Sequence, residues 1–276
     1  MENKKELRRL CRRGKFKKIL TGAQSTGSTE VLRQGFDPDL SQPLHYAAAR
    51  GNIEAVRELI ESYGCDPGCQ NLYGITPMHC ASYCGRLNVV KYLQKCCADT
   101  ATIGDREGAC PLVYSAYCTM ENVTMRAPLD HIQRVTPRSD HFRIAKFLLT
   151  CRAPKYVFSP KVSCILRLPL YCGSLTDLRH ILGGIIKFVP HAESVESNLE
   201  VYECLNIAFD RKKWDFAESL LRHFPGPIKT AMSEEVSTQA HSMYRFTPFH
   251  KACNMGADAD LVKIFLELDI CKPCLL

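Results

Sequence analysis

The stretch Ser41-Gln42-Pro43-Leu44-His45-Tyr46-Ala47-Ala48-Ala49-Arg50-Gly51-Asn52-Ile53 returns later as Ile75-Thr76-Pro77-Met78-His79-Cys80-Ala81-Ser82-Tyr83-Cys84-Gly85-Arg86-Leu87. From Pro43 to Pro77 is 34 residues, and another 34 reach Pro111, in Ala109-Cys110-Pro111-Leu112-Val113-Tyr114. Near the end, Phe246-Thr247-Pro248-Phe249-His250-Lys251-Ala252 restates the pattern. A unit of this length holds one supersecondary element and cannot bury its own apolar face. Neighbouring copies must stack to share a core.

Local chemistry specifies what each unit contains. Proline suits the first turn of a helix, where its missing N–H has no intrahelical acceptor anyway. Thr76 and Thr247 stand where a capping hydroxyl belongs. Gly51, Gly85 and Gly256 each fall eight residues after the proline, where a short helix must reverse and a left-handed residue helps. A second apolar-periodic stretch follows: Ile53, Val56, Leu59 and Ile60, then Leu87, Val90 and Leu93, and later Leu261, Val262, Phe265 and Leu266. Turn-rich connectors come next, Gly64-Cys65-Asp66-Pro67-Gly68 with Asn71-Leu72-Tyr73-Gly74, and then Asp105-Arg106-Glu107-Gly108.

These residues resemble the ankyrin repeat, whose signature is Thr-Pro-Leu-His-x-Ala on a period near 33. The resemblance implies an all-α solenoid of stacked helix–turn–helix units with short β-hairpin fingers. It also implies that His45, His79 and His250, beside Thr76, Pro77, Thr247 and Pro248, are structural. Such histidines are buried in the family and bond loop backbone between adjacent repeats.

With that frame, residues 1–38 read as a basic N-terminal cap repeat around Leu10-Cys11-Arg12-Arg13-Gly14-Lys15-Phe16. Two well-formed repeats fill 39–108. A third, 109–155, has Val113 in place of the histidine and an insert at about 120–140 before a second helix from Phe142 to Thr150. Degenerate copies are expected at 156–190 and 191–232, the latter with Lys212 where the turn glycine should be. A C-terminal repeat spans 233–276; its blunt end after Leu266 suggests a repeat cut short.

Composition narrows the setting. At 46% hydrophobic and 24% charged, the chain carries enough apolar surface for an ordered core. No run approaches the roughly 18 apolar residues of a membrane span, and Ile181 to Pro190 is broken by Gly183, Gly184 and Lys187. Sixteen cysteines behind a basic N-terminus without a signal peptide imply reduced thiols, in the cytoplasm or alternatively the nucleus. The net charge of +7 concentrates between Lys4 and Lys18, with nine basic residues and one acidic. A nucleic-acid patch is one reading. Leu7, Leu10, Phe16 and Ile19 recur at helical spacing between those charges, which favours an amphipathic cap with a polar outer face.

No catalytic constellation emerges. The motif histidines lie one repeat apart and do not converge on a point. Cys65-x3-Cys69, Cys80-x3-Cys84 and Cys271-x2-Cys274 have zinc-like spacing, yet Cys80 holds an apolar motif position and the terminal pair has no companion. The expected function is therefore a non-catalytic, monomeric scaffold that needs no cofactor or metal and binds a protein or peptide. By the family's pattern of exposed fingers and first-helix faces, its partner-binding residues would be Arg50, Leu72, Tyr73, Ile75, Tyr83, Arg106, Glu107 and Tyr117. Tyr83 and Tyr117 are 34 apart and so equivalent, and tyrosine and arginine are typical interface anchors. Packing of these tyrosines on one another or on the insert is the competing reading. The alternatives in function are a recognition fragment of a larger adaptor or signalling protein, and nucleic-acid binding through the cap.

Overall fold

Each full repeat begins with an extended residue followed by proline. Gln42 (ψ 162°) and Thr76 (ψ 165°) sit in the β region, and the helix starts at the next residue. A computed structural model of the chain describes residues 4–27, 29–116, 129, 138–151, 176, 195–226, 228–229 and 248–268. By its internal packing the chain divides into Met1–Ser159 and Pro160–Leu276.

In the first unit the helices are α1 Lys4–Arg12, α2 Phe16–Thr26, α3 Pro43–Arg50, α4 Ile53–Glu61, α5 Pro77–Tyr83, α6 Leu87–Cys96, α7 Pro111–Ala116 and α8 Arg138–Thr150. They pair as four hairpins. The first three reverse at Gly14, Gly51 and Gly85, all left-handed with φ between 69° and 73°. The short first helices α3, α5 and α7 stack side by side. All of 43–49, 77–83 and 111–116 is buried, because Ala47, Ala48, Ala81 and Ala116 let neighbouring backbones close in. The second helices are amphipathic. Val56 and Leu59 of α4 and Val90 and Leu93 of α6 are fully buried, whereas Glu54, Arg57, Asn88 and Lys91 face water. Each such buried aliphatic contributes about 1.5–3 kcal/mol.

The second unit has α9 Val195–Asp210 and α10 Trp214–His223, then α11 Pro248–Asn254 and α12 Ala259–Glu267. Gly256 turns α11 into α12 at φ 81°, and Lys212 does so for α9 and α10 at φ 52°, in the place where the sequence lacks its glycine. Phe209 and Phe265 are fully buried with ring centroids 6.2 Å apart, and Phe249 packs on Phe265 at 5.6 Å. Lys251 of α11 reaches Asp210 of α9 at 2.9 Å.

The structure differs from the sequence reading in two respects. Among the described residues there is no strand. The fingers are tight turns, each closed by too few consecutive backbone bonds to extend a ladder. Helix α8 begins at Arg138 rather than Phe142, directly after Pro137, which favours a helix start there. The repeat expected at 156–190 lies outside the described residues apart from Thr176, as do most of the insert, Tyr117 and Thr247. Among the described residues no helix is long and apolar enough to cross a membrane.

Candidate functional site

The fingers are shaped by one acceptor residue that recurs every 34 positions: Asp37, Asn71 and Asp105. Asp37 Oδ1 accepts from the amides of Asp39 and Ser41 at 3.1 and 2.7 Å. Asn71 Oδ1 does the same for Tyr73 and Ile75, both at 3.0 Å, and Asp105 Oδ1 for Glu107 and Ala109 at 2.9 and 2.8 Å. Such side-chain bonds to amides two and four residues on fold a loop with no strand to support it. The second carboxylate oxygen is also used. Tyr46 donates to Asp37 Oδ2 and Tyr114 to Asp105 Oδ2, each at 2.7 Å. In the middle repeat the finger residue is the amide Asn71, and the tyrosine position holds Cys80. The uncharged finger residue therefore coincides with loss of the hydroxyl donor.

Neighbouring fingers are tied together. The Leu72 amide donates to Asp39 O at 2.8 Å, and the Arg106 amide to Tyr73 O at 3.0 Å. A left-handed residue closes each turn: Leu40 at φ 58°, Gly74 at 76° and Gly108 at 79°. At Gly74 a β-carbon would also lie 2.9 Å from the Arg106 amide, so the close approach of fingers adds to the backbone requirement there.

The tips face water with mixed chemistry. Leu40 is 52% exposed and Leu72 37%, Arg106 and Glu107 are exposed, and Tyr73 is half-buried. Sequence reasoning missed Leu40, although its 34-residue alignment with two glycines was readable. Arg50 lies elsewhere, half-buried at the end of α3. Ile75 is buried, and its carbonyl is engaged by His45. Tyr83 is 8% exposed, with its ring edge-on to Tyr114 at a centroid distance of 6.4 Å. Its carbonyl accepts from His141 of α8 at 3.0 Å. Tyr83 is thus covered by the next hairpin, by Tyr114 and α8.

Below the fingers runs a ladder of histidines. His45 Nδ1 accepts from the Gln42 amide at 3.2 Å, and Nε2 donates to Ile75 O at 3.0 Å. His79 Nδ1 is met by the Thr76 amide at 3.1 Å and the Thr76 hydroxyl at 2.8 Å, while Nε2 donates to Ala109 O at 3.0 Å. In both, the acceptor carbonyl lies 30 residues on, in the following repeat. Both rings are completely buried, and that burial pushes each imidazole down to about 4. Neutral and fully bonded, these rings link repeats and are not poised for proton transfer at neutral pH.

His250 departs from this expectation. It is exposed on α11, its ring 6.2 Å from Phe249. Pro248 is buried at the start of α11, as its motif position requires.

Among the described residues the cysteines are mostly core. Cys65, Cys69, Cys80 and Cys84 are all buried. Burial pushes the Cys65 thiol up to about 11 and raises Cys69 and Cys80 further, against the thiolate that a metal ligand or nucleophile needs. No group of three or more His, Cys, Asp or Glu able to hold a metal occurs among the described residues. Cys271 and Cys274 lie outside them.

A family model described as ankyrin repeats (3 copies) matches residues 23–125. The chain is 30% identical over 82 residues to the Notch-regulated ankyrin repeat-containing protein of Xenopus tropicalis, a match covering 30% of this chain and 71% of that protein. It is 36% identical over 63 residues to the 26S proteasome non-ATPase regulatory subunit 10 of Dictyostelium discoideum, covering 23% of this chain and 27% of the subunit. Over 82 residues it is 34% identical to the transient receptor potential cation channel subfamily A member 1 of Drosophila melanogaster, covering 28% of this chain and only 7% of the channel.

Proposed function

Because this chain belongs to the ankyrin-repeat family, we propose that it is a non-catalytic scaffold that holds a protein or peptide partner on the tips of its fingers. Ankyrin repeats are general protein–protein interaction modules, and the Xenopus tropicalis relative is by name an ankyrin repeat-containing protein. The observation that supports placing the partner at the fingers is the locked row of turns. Asp37, Asn71 and Asp105 fix each loop internally, and the Leu72–Asp39 and Arg106–Tyr73 bonds fix each loop to the next. Leu40, Leu72, Tyr73, Arg106 and Glu107 are consequently held in place before any partner arrives. Such preorganisation reduces the ordering cost of binding.

The chemistry of that row is apolar on the first two fingers and charged on the third, which fits a partner segment with an apolar anchor beside a charged residue. The scaffold is read as a monomer working in a reducing compartment, cytoplasmic or nuclear. It needs no cofactor, and the buried neutral histidines and buried thiols supply no reactive group.

The test is a titration of finger variants against a partner recovered by affinity capture, with melting curves alongside. Leu72→Ala and Arg106→Ala should each weaken binding by about 1–2 kcal/mol while leaving stability nearly unchanged. Lys17→Ala, on the exposed face of the cap, should bind normally. Normal binding by the finger variants, with a salt-dependent loss in the cap variant, would transfer the function to the basic cap.

A further inference from the structure

The α1–α2 hairpin concentrates the charge of the whole chain. Residues 4–18 hold nine basic side chains and one acidic, while the other 261 positions hold 27 basic and 28 acidic. The apolar side of the hairpin is used up in the core. Leu7 and Cys11 of α1 and Ile19 of α2 are fully buried, and Leu10, Phe16 and Leu20 nearly so. Of the nine basic side chains seven are exposed, and Arg8 and Arg12 are half-buried. The charges therefore ride on a packed hairpin and not on a loose tail. The fold adds a tenth cation. Arg50, 36 residues beyond Gly14 in the sequence, lies across the α1–α2 turn, where a β-carbon at Gly14 would stand 3.2 Å from its Cδ and 3.6 Å from Nη1.

This single sign is maintained against local stability. A cap that had only to stay soluble would mix charges. Other exposed helix faces of the chain do so: Arg222 meets Glu218 on α10 at 3.0 Å and Lys263 faces Glu267 on α12 at 3.9 Å, both four residues apart. On α1 and its end the same spacing joins like charges, Lys4 to Arg8 to Arg12 and Lys5 to Arg9 to Arg13, and each such step is mildly destabilising. Glu6 offsets Arg9 at 2.8 Å. Lys17 and Lys18 stand in the first turn of α2, which holds no acidic residue, where the helix dipole disfavours cations. A local rule broken repeatedly in one place marks a functional surface.

From this one-signed face, fixed by a buried seam and extended by Arg50, we infer a docking surface for the phosphate backbone of a nucleic-acid duplex. Charge density decides the class of partner. Helix α1 is about 14 Å long, and over that length a duplex presents about eight phosphates, one per ~1.7 Å of axis. An extended acidic peptide turns alternate side chains away and offers about two carboxylates over the same length. Nine basic groups against one acidic group match the duplex. The buried apolar side leaves nothing to sink between lipids, which an amphipathic helix needs for a firm hold on a membrane. Contacts to phosphates position a duplex without reading its bases, so binding here is independent of sequence. Duplex binding at the cap and protein binding at the fingers use different residues and different ligands, so either can fail alone.

The experiment is a fluorescence-anisotropy titration of the full chain into a short labelled DNA duplex, at salt from about 50 to 200 mM. Saturable binding is expected, equal for a second duplex of scrambled sequence. The logarithm of the affinity should fall linearly with the logarithm of salt at a slope of about −4 or steeper, as for roughly five phosphates neutralised. Arg13→Gln with Lys15→Gln should weaken binding by about tenfold or more and reduce the slope by about 1.8. The melting temperature should hold, since both side chains are exposed. Arg50→Gln should also weaken binding, because the fold brings it to the same turn. Lys95→Gln, exposed at the end of α6, should bind as wild type. Absence of saturable binding at the lowest salt, or equal binding by wild type and the Arg13, Lys15 double variant, overturns the surface. Displacement of the duplex by poly-L-glutamate of equal charge concentration, as readily as by unlabelled duplex, overturns the nucleic acid in favour of an acidic protein. Equally ready displacement by phosphatidylserine vesicles overturns it in favour of an anionic membrane.

Discussion

Leu40 holds, at φ 58°, the left-handed position that Gly74 holds at φ 76° 34 residues later. A leucine there carries a steric penalty of about 1–2 kcal/mol that glycine avoids. Glycine gives back part of the difference through its larger unfolded-state entropy. Leu40→Gly is therefore expected to raise stability by about 0.5–1 kcal/mol, read as a higher urea midpoint at unchanged slope. Partner affinity should fall, because the side chain removed is the most exposed apolar group on the fingers. A variant that gained stability and kept full affinity would leave the strained leucine without a role.

Lys212 is the parallel case in the second unit, at φ 52° and exposed on the turn. Its side chain has no core to fill, so Lys212→Gly should stabilise by about 0.5–1 kcal/mol. A lower melting temperature in the variant would show that the lysine makes a compensating contact.

The pairing of Asp105 with Tyr114, set against Asn71 with Cys80, predicts energetic coupling. Tyr114→Phe leaves a carboxylate oxygen short of its 2.7 Å donor and should cost about 1–2 kcal/mol. Asp105→Asn alone keeps an oxygen for the two loop amides but presents an amide to the tyrosine. Combining Asp105→Asn with Tyr114→Cys recreates the middle repeat's pair. The loss should be smaller than the sum of the two single losses by about 0.5 kcal/mol or more, measured in a double-mutant cycle. Simple additivity would mean that the alternation of the two pairs is coincidental.

Periodicity made the first unit legible because two nearly complete copies, Ser41–Ile53 and Ile75–Leu87, fixed the register for weaker ones. The prolines, turn glycines and the histidines 45 and 79 fell where a helical hairpin needs them. The same spacing would have found Asp37, Asn71 and Asp105, since an acceptor at the head of a turn is a local signal. It could not find the state of Tyr83. Equivalence between positions says which side chains lie in a row, but whether that row meets water depends on what packs next. Here α8 supplies His141 against the Tyr83 backbone, and Tyr114 covers the ring. The exposure of His250 on α11 was hidden in the same way, because the motif marks its position and not what packs on it.

The last prediction concerns pH and the histidine ladder. His45 and His79 are fully buried, and desolvation pushes each down to about 4 from an ordinary value of 6.5. The unfolded chain therefore binds protons at these rings before the folded chain does. Their contribution to stability is complete above pH 6.5 and is lost progressively as pH falls towards 4. The loss is on the order of 3 kcal/mol for each ring, from the size of the displacement. Protonation would also convert Nδ1 from an acceptor into a donor facing the Gln42 or Thr76 amide, breaking the bond that positions the ring. Thermal melts of the wild type between pH 7 and pH 4 should show a steep fall, with the carboxylates adding to it at the acid end. His79→Ala should start about 1–3 kcal/mol lower at pH 7, because the Ala109 carbonyl and the Thr76 amide lose a buried partner. It should then lose less on acidification, having one fewer ring to protonate. The decisive quantity is the gap between wild type and variant. It should narrow as pH drops from 6.5 to 4, and a gap that stayed constant over that window would mean that His79 is not buried in its neutral form.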